Sequence, residues 1–384
     1  MLALVGFLLL SGVYGWLISF FKRNWEALPL QASVSVTLKS ETQAEFNKIP
    51  DNITVSIIIP ARNEEARIGA LLLALQRQRL INQRPEIIVV DDHSDDSTAA
   101  IAQSFEGVRV LSLKEEDINS YKKKALEKGV QAASGELIVC TDADCVPEPD
   151  WLRSVLSCYQ EKKSMFIAAP VLLTNEGTLL GKFQTLDFMI LQGITGAGIQ
   201  SQKIYMANGA NLAYPKKVFE EVEGYRGADH LASGDDFFLL HKIVECYPDK
   251  IVYLKSPQAI VRTAALHTWH QFLQQRIRWA SKSTSYKDPR ILPVLILVWV
   301  YNACFVLLTM ATFFDQRFLA ILIASLTLKT LLEWPFVKTL SRFFQVPVSI
   351  TGFACWQPLH ILYTVLTGVL GLFGRYEWKG RRVR

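Results

Sequence analysis

Three pairs of acids in this chain stand where a carboxylate can do chemistry. Asp91 and Asp92 close the apolar run Ile87 to Val90. If that run is a strand, both acids lie at its carboxyl end, where open α/β sheets take their ligands. The same acids also suit capping of the helix that follows, and the two roles are compatible. Asp142-Ala143-Asp144 follows a further strand-like run, Glu136 to Cys140. Two carboxylates one residue apart suit a hard divalent cation, which takes one or two of them and completes its shell with phosphate oxygens and water. Such a cation neutralises charge on a departing diphosphate. A lone D-x-D also arises by chance. Asp235 and Asp236, in Ser233-Gly234-Asp235-Asp236-Phe237, precede an apolar helical run. Acids there favour the helix dipole. Their chemical reading is a general base that takes a proton from a hydroxyl. In Gln275-Arg276-Ile277-Arg278-Trp279 an arginine offers bidentate contacts to a diphosphate and the indole a flat face to a sugar. The segment equally suits an interfacial helix with Arg and Trp at headgroup level. Gly196-Ala197-Gly198 breaks the dinucleotide pattern, and neither a phosphate loop of the GxxxxGK[ST] type nor an HExxH motif occurs.

These residues need a scaffold, and the middle of the chain supplies one. Short β-branched runs at 55–59, 86–90, 108–113 and 136–140 alternate with helical spacing at 64–77, 97–104 and 122–133. The run Val55 to Ile59 is of the kind expected for a buried parallel strand. The βαβα order predicts a doubly wound sheet with its ligand crevice beyond the strand ends.

The ends of the chain differ from the middle. Half of the 384 residues are hydrophobic, and the mean hydropathy is +0.19. The apolar surplus sits in residues 1–21 and 291–374, which predicts an uncleaved N-terminal anchor and C-terminal membrane helices. Lys329 and Glu333 interrupt the segment 318–337 at a spacing that allows them to pair. Pro347 and Pro358 are expected to break the segment 343–374. The net charge is only +5. Lys22, Arg23, Lys282, Lys287, Arg290, Arg375, Lys379, Arg381, Arg382 and Arg384 flank the apolar segments, a placement that follows the positive-inside rule better than a nucleic-acid footprint. It predicts a multi-pass protein of the cell membrane with a cytoplasmic middle domain. Three full C-terminal spans would place the basic tail outside, so one segment is expected to be interfacial. The six cysteines form no CxxC pair, as expected of buried thiols in a reducing compartment. The expected division is an anchor at 1–21, a linker at 22–52, a catalytic domain at 53–262, an amphipathic segment at 263–290, membrane or interfacial helices at 291–374 and a basic tail at 375–384.

Five segments in order, Ile59-Pro60-Ala61-Arg62-Asn63-Glu64-Glu65, Val90 to Ser94, Thr141 to Asp144, Ser233 to Asp236 and Gln275 to Trp279 (QxxRW), resemble the membrane-anchored family 2 glycosyltransferases, the branch of cellulose, chitin and hyaluronan synthases and ceramide glucosyltransferase. The closing Trp378-Lys379-Gly380-Arg381 is similar to tails of its lipid-modifying members. The resemblance implies a GT-A fold, an inverting mechanism, a nucleotide-sugar donor carried by UDP, and Mg²⁺ or Mn²⁺. It implies that Pro60, Ala61, Arg62 and Glu64 line the nucleotide pocket. Asp91 and Asp92 would contact the base, with Lys122 or Lys123 approaching from the next helix. Asp142 would contact the donor and, with Asp144, the metal. Asp236 would be the catalytic base. Asn208, Gly209, Ala210 and Asn211, with Asp235, would lie by the transferred sugar and acceptor. Gln275, Arg278 and Trp279 would bind the diphosphate and the acceptor end. Two departures qualify this. Many members carry Glu-Asp where this chain has Asp235-Asp236, and the membrane part is small for a polymer channel. The expected reaction is therefore transfer of a sugar to a membrane lipid. The alternatives are processive polysaccharide synthesis and a non-catalytic subunit that binds nucleotide or polysaccharide.

Overall fold

The computed structural model describes residues 2–31, 53–79, 84–115, 120–175, 177–227, 234–282, 290–373, 376–378 and 381–383. The chain divides into two compact units. One comprises residues 28–174 and 205–264, the other 1–27, 175–204 and 265–384. The helix at 179–200 lies within the span expected for the catalytic domain, yet it groups with the apolar helices.

The first unit is an α/β structure. Its elements are β1 (Val55–Ala61), α2 (Ile68–Gln76), β2 (Glu86–Asp91), α3 (Thr98–Gln103), β3 (Val108–Ser112), α4 (Tyr121–Ala132), β4 (Leu137–Cys140), β5 (Cys145–Pro147), α5 (Trp151–Lys162), β6 (Phe166–Ala168), β7 (Val171–Thr174), β8 (Leu212–Pro215), α7 (Lys216–Glu221), α8 (Asp235–Cys246), β9 (Ile251–Tyr253) and β10 (Val261–Ala264). A seven-stranded sheet runs β3-β2-β1-β4-β8-β6-β9, and a smaller one runs β5-β10-β7. β3, β2, β1 and β4 are parallel neighbours, whereas β8 runs antiparallel to both β4 and β6. Ile57, Ile58, Ile59, Val89, Val90, Leu137 and Val139 are fully buried, because helices cover both faces of a parallel sheet. The four strands and three helices read from the sequence are present with ends shifted by a few residues. β5 and β10 pair in antiparallel register, Cys145 opposite Thr263, and so bring residue 263 beside the acids that follow β4.

The second unit holds α1 (Leu2–Ala27), α6 (Leu179–Gln200), α9 (Trp269–Ser281), α10 (Ile291–Thr312), α11 (Arg317–Phe344), α12 (Ile350–Gly371) and a hairpin of β11 (Tyr376–Trp378) and β12 (Arg381–Val383). Among the described residues four helices, α1, α10, α11 and α12, are long and apolar enough to cross a membrane. α1 passes the expected boundary at residue 21. Lys22 pairs with Glu26 one turn on at 2.7 Å, and the fully buried Trp25 packs against Phe343 and Phe344. The remainder of the expected linker, 32–52, lies outside the described residues. Pro347 falls between α11 and α12, but Pro358 lies inside α12 without ending it. Proline is tolerated inside a membrane helix where neighbouring groups satisfy the freed carbonyl. Lys329 and Glu333 do pair, at 2.6 Å, and Gln357 bridges them, accepting from Lys329 at 2.7 Å and donating to Glu333 at 2.5 Å. Tyr14 donates to the same carboxylate. The polar residues of α1, α11 and α12 thus satisfy one another inside an apolar bundle, as burial demands.

Candidate active site

Strand order reverses between β1 and β4, so the loops leaving β1, β2 and β4 open on one crevice in the α/β unit. Two of these loops are tied together. The Arg62 guanidinium donates to the Asp92 carbonyl at 3.0 Å and lies 3.9 Å from its carboxylate. The amides of Asn63, Glu64 and Glu65 donate to Ser94 Oγ, Thr98 Oγ1 and Asp96 Oδ2 at 3.0, 2.7 and 3.1 Å. Asn63 and His93 hold positive φ, 51° and 53°, which lets both loops turn sharply. Asp91 and Asp92 are buried. Asp92 Oδ1 lies 3.0 Å from His93 Nδ1. Asp91 Oδ1 is buried without a hydrogen-bond partner. Such an acceptor costs about 1–3 kcal/mol unless a ligand supplies the donor. Ala61 is buried, and its carbonyl accepts from Asp92 N at 2.8 Å, so it shapes the loop through its backbone.

A second cluster gathers around Gly209. Lys122, from the start of α4, donates to Asp142 Oδ1 at 2.7 Å and lies 3.8 Å from Asp235 Oδ2. Gly209 N donates to Asp236 Oδ2 at 3.1 Å, and Phe237 N donates to Asp236 Oδ1 at 2.8 Å. Gly234 caps α8 with φ 91°, a conformation suited to glycine, and thereby aims both acids from the first turn. A methyl group at Gly209 would lie 3.0 Å from Asp235 Oδ2 and 3.3 Å from Lys122 Nζ, so the chain approaches the cluster closely only because no side chain is there. Burial works against the Lys122 ammonium, but Asp142, Asp235 and Asp236 outweigh it and hold its pKa well above the ordinary lysine value. Burial pushes the Cys140 thiol at the end of β4 up to about 12, so it stays protonated and inert.

Asp144 lies apart from this cluster. Its Oδ2 accepts from Thr263 Oγ1 at 3.1 Å and lies 3.7 Å from the Arg67 guanidinium. Among the described residues no three of His, Cys, Asp and Glu converge as a metal cage. A partly exposed carboxylate with a second two residues away instead fits a hard cation that takes its other ligands from phosphate and water.

Several expected contacts fall elsewhere. Lys122 engages the acids after β4 and at α8 rather than Asp91 and Asp92. Lys123 is 1% exposed and lies over the Phe238 ring. Asn211 is 1% exposed, and its amide is fully engaged, accepting from Trp151 Nε1 at 2.9 Å and donating to the carbonyls of Pro170 and Ala259 at 2.8 Å. It therefore fixes the 208–211 loop from behind and does not face a sugar. Ala210 is likewise buried, while the Asn208 side chain accepts from Ala210 N at 3.0 Å. Ser233 and the tail residues Arg375, Lys379, Gly380 and Arg384 lie outside the described residues.

Gln275, Arg278 and Trp279 lie on α9, in the helical unit. There Arg276 donates to Gln275 Oε1 at 2.7 Å and lies 4.2 Å above the Trp279 ring, whose neighbour Phe188 is 5.9 Å away. One face of the indole is thus covered. Sequence reading missed Thr263, Arg67, Arg276 and Asp187. Thr263 carries no local signal, since only strand pairing brings it to Asp144. Asp187 does carry one: a lone acid in the apolar run of α6 requires a buried partner.

Residues 56–223 match the family described as Glycosyl transferase family 2. Over 239 residues the chain is 28% identical to a probable glycosyltransferase, YdaM, of Bacillus subtilis, covering 59% of this chain and 54% of that protein. Over 228 residues it is 26% identical to a poly-beta-1,6-N-acetyl-D-glucosamine synthase of Staphylococcus epidermidis, covering 59% and 53%. The chain thus spans about half the length of these curated relatives. Among solved structures, a mannosyltransferase from Pyrobaculum calidifontis, in complex with GDP-Man and Mn²⁺, superposes with a TM-score of 0.52 over 95% of this chain and 96% of its own, at 15% identity. That likeness concerns the fold.

Proposed function

We propose that the chain, whose residues 56–223 match Glycosyl transferase family 2 and whose α/β unit has the GT-A fold, is an inverting glycosyltransferase that moves one sugar from a nucleotide-sugar to the hydroxyl of a membrane lipid, on the cytoplasmic face. The observation that carries this reading is the convergence of Lys122, Asp142, Asp235 and Asp236 about Gly209, at the mouth of the parallel strands. A module that only binds has no need of a base, whereas group transfer needs a base and a counter-charge within one site.

In this reading the nucleobase enters beside Arg62, Asp91 and Asp92, and a base N–H satisfies Asp91 Oδ1. UDP is the carrier that the resemblance favours. Asp236, held at both oxygens by amides of Gly209 and Phe237, accepts the proton of the acceptor hydroxyl. That oxygen forms its bond to the anomeric carbon as the bond to the diphosphate breaks on the opposite face, and the electron pair leaves with the diphosphate. Lys122 places positive charge against the acids that face the donor. Asp144, with Asp142, would hold Mg²⁺ or Mn²⁺, which supplies further charge against the leaving diphosphate. Four candidate spans give an amphiphilic acceptor a bilayer to remain in while its headgroup reacts. Processive synthesis is the second reading, favoured by the likeness to the staphylococcal synthase.

The test uses membranes carrying the protein, a panel of labelled nucleotide-sugars, native lipid extract and either metal, with Asp236→Asn as control. Metal-dependent label in the organic phase, lost in the variant, is the expected result. Label in a long polymer would replace the lipid acceptor with a growing chain. Full activity in the variant would remove Asp236 as the base.

A further inference from the structure

α2 starts on a residue that local preference disfavours. Its N-cap is Arg67, which makes no side-chain capping hydrogen bond. Helix starts favour Ser, Thr, Asp or Asn, whose side-chain oxygens accept from the open amides. Arginine offers no acceptor, and its charge opposes the positive end of the helix dipole. Departures of this kind are expected where a site requires the residue. What Arg67 faces is Asp144. Its guanidinium lies 3.7 Å from Asp144 Oδ2, and the same oxygen accepts from Thr263 Oγ1 at 3.1 Å. The three residues come from three segments of the α/β unit: the start of α2, the loop after β4, and β10. The Arg67 and Asp144 side chains are 37% and 28% exposed, so the pair remains open to a ligand.

Arg67 is also fixed to the loop after β1. The amides of Arg67 and Ile68 both donate to the Glu64 carbonyl at 2.9 Å, and Glu64 N donates to Thr98 Oγ1 at 2.7 Å. The short segment that carries Arg62 toward the nucleotide thus also carries Arg67 toward Asp144. Neither acid of the Asp142-Ala143-Asp144 pair stands alone, since Lys122 donates to Asp142. A carboxylate beside a guanidinium holds a lone divalent cation poorly, because the two cations repel and the carboxylate's charge is already partly compensated. A diphosphate reverses that balance, since its negative charge is attracted by the metal and by the guanidinium together. We propose that Arg67 couples the metal to the donor: it disfavours a divalent cation at Asp144 until a nucleoside diphosphate arrives with it. The inference rests on the reading of Asp144 as a metal-holding residue.

The test measures Mn²⁺ binding to full-length protein in detergent by calorimetry, without nucleotide and with saturating UDP or GDP. Arg67→Ser removes the charge and supplies a favoured N-cap, so its unfolding temperature is expected to hold or rise. Without nucleotide the variant is expected to bind Mn²⁺ about threefold more tightly, and with the diphosphate about threefold more weakly. The factor by which nucleotide strengthens Mn²⁺ binding therefore falls about tenfold, and by linkage Mn²⁺ loses the same factor in strengthening nucleotide binding. Arg67→Lys, which keeps the charge, is expected to retain the parent pattern. Opposite changes in the two titrations are the signature, because a merely structural role would move both in one direction. Unchanged affinities in Arg67→Ser, or a shift of the same sign in both titrations, would overturn the coupling. If Arg67→Ser fails to fold, Arg67→Gln decides by the same criteria. If the parent binds no Mn²⁺ even with either diphosphate present, the reading of Asp144 fails, and the coupling with it.

Discussion

Replacing Lys122 by methionine tests the electrostatic account of the site most directly. The side chains are of similar length, so the change removes a charge and leaves most of the packing. Lys122 donates to Asp142 at 2.7 Å and lies 3.8 Å from Asp235. A charge-assisted hydrogen bond contributes about 1.5–3 kcal/mol. Breaking a buried pair costs about 3–5 kcal/mol, because the partner is left uncompensated. Here the Lys122 and Asp142 side chains are 23% and 34% exposed, and water screens part of the loss. Asp235, only 9% exposed, is screened least. The expected destabilisation is about 2–3 kcal/mol, which for a unit of this size lowers its unfolding temperature by about 4–12 °C. Lysine's pKa is raised in the fold, so its contribution is complete below the unfolded value near 10.4 and is lost only as pH rises through the higher folded value. The gap between the two proteins should therefore stay level from about pH 6 to about pH 9. Sugar transfer should fall at least about a hundredfold. The assay is thermal unfolding in detergent across that pH range, with labelled-sugar transfer at one pH. A variant as stable as the parent, or a gap that closes toward the upper end of the range, would refute the claim that Lys122 is the counter-ion of the three acids.

Gly209→Ala places a methyl 3.0 Å from Asp235 Oδ2 and 3.3 Å from Lys122 Nζ, and transfer should fall about tenfold with little change in unfolding temperature. Asn211→Leu orphans Trp151 Nε1 and the carbonyls of Pro170 and Ala259, so it should destabilise by about 2–4 kcal/mol, read by thermal unfolding. Lys329→Met strands Glu333 inside the bundle at a cost of about 3–5 kcal/mol, and Glu333→Leu added to it should recover most of that loss, measured by thermal stability in detergent. Chelation should abolish transfer and added Mn²⁺ restore it, while Asp144→Ala should weaken Mn²⁺ binding itself, measured by calorimetry in the presence of nucleoside diphosphate.

Much of this was legible in one dimension. Continuous apolar runs such as Ile57 to Ile59 and Ile87 to Val90 declared buried parallel strands, because a strand covered on both faces admits no polar alternation. Acids placed just past those runs declared the crevice, since the strand direction fixes where their side chains emerge. Lengths and charges of the terminal segments declared helices long and apolar enough to cross a membrane, because a bilayer admits only such stretches. The Lys329–Glu333 pair followed from helical spacing alone.

What tertiary structure decided were the relations between distant residues. Asn211 and Asn208 look equivalent in the sequence, yet one amide is satisfied by Trp151, Pro170 and Ala259 while the other stays in the site loop. Neighbouring Lys122 and Lys123 diverge by one helical step, which sends one to the acids and buries the other over Phe238. Thr263 meets Asp144 only through the β5–β10 pairing, and Arg276 meets Asp187 only because α6 leaves the α/β sequence to pack among the apolar helices. Local sequence sets the periodicity of an element and the sign of its charges. Which buried polar atom finds which partner depends on contacts across tens or hundreds of residues, and no local pattern encodes those.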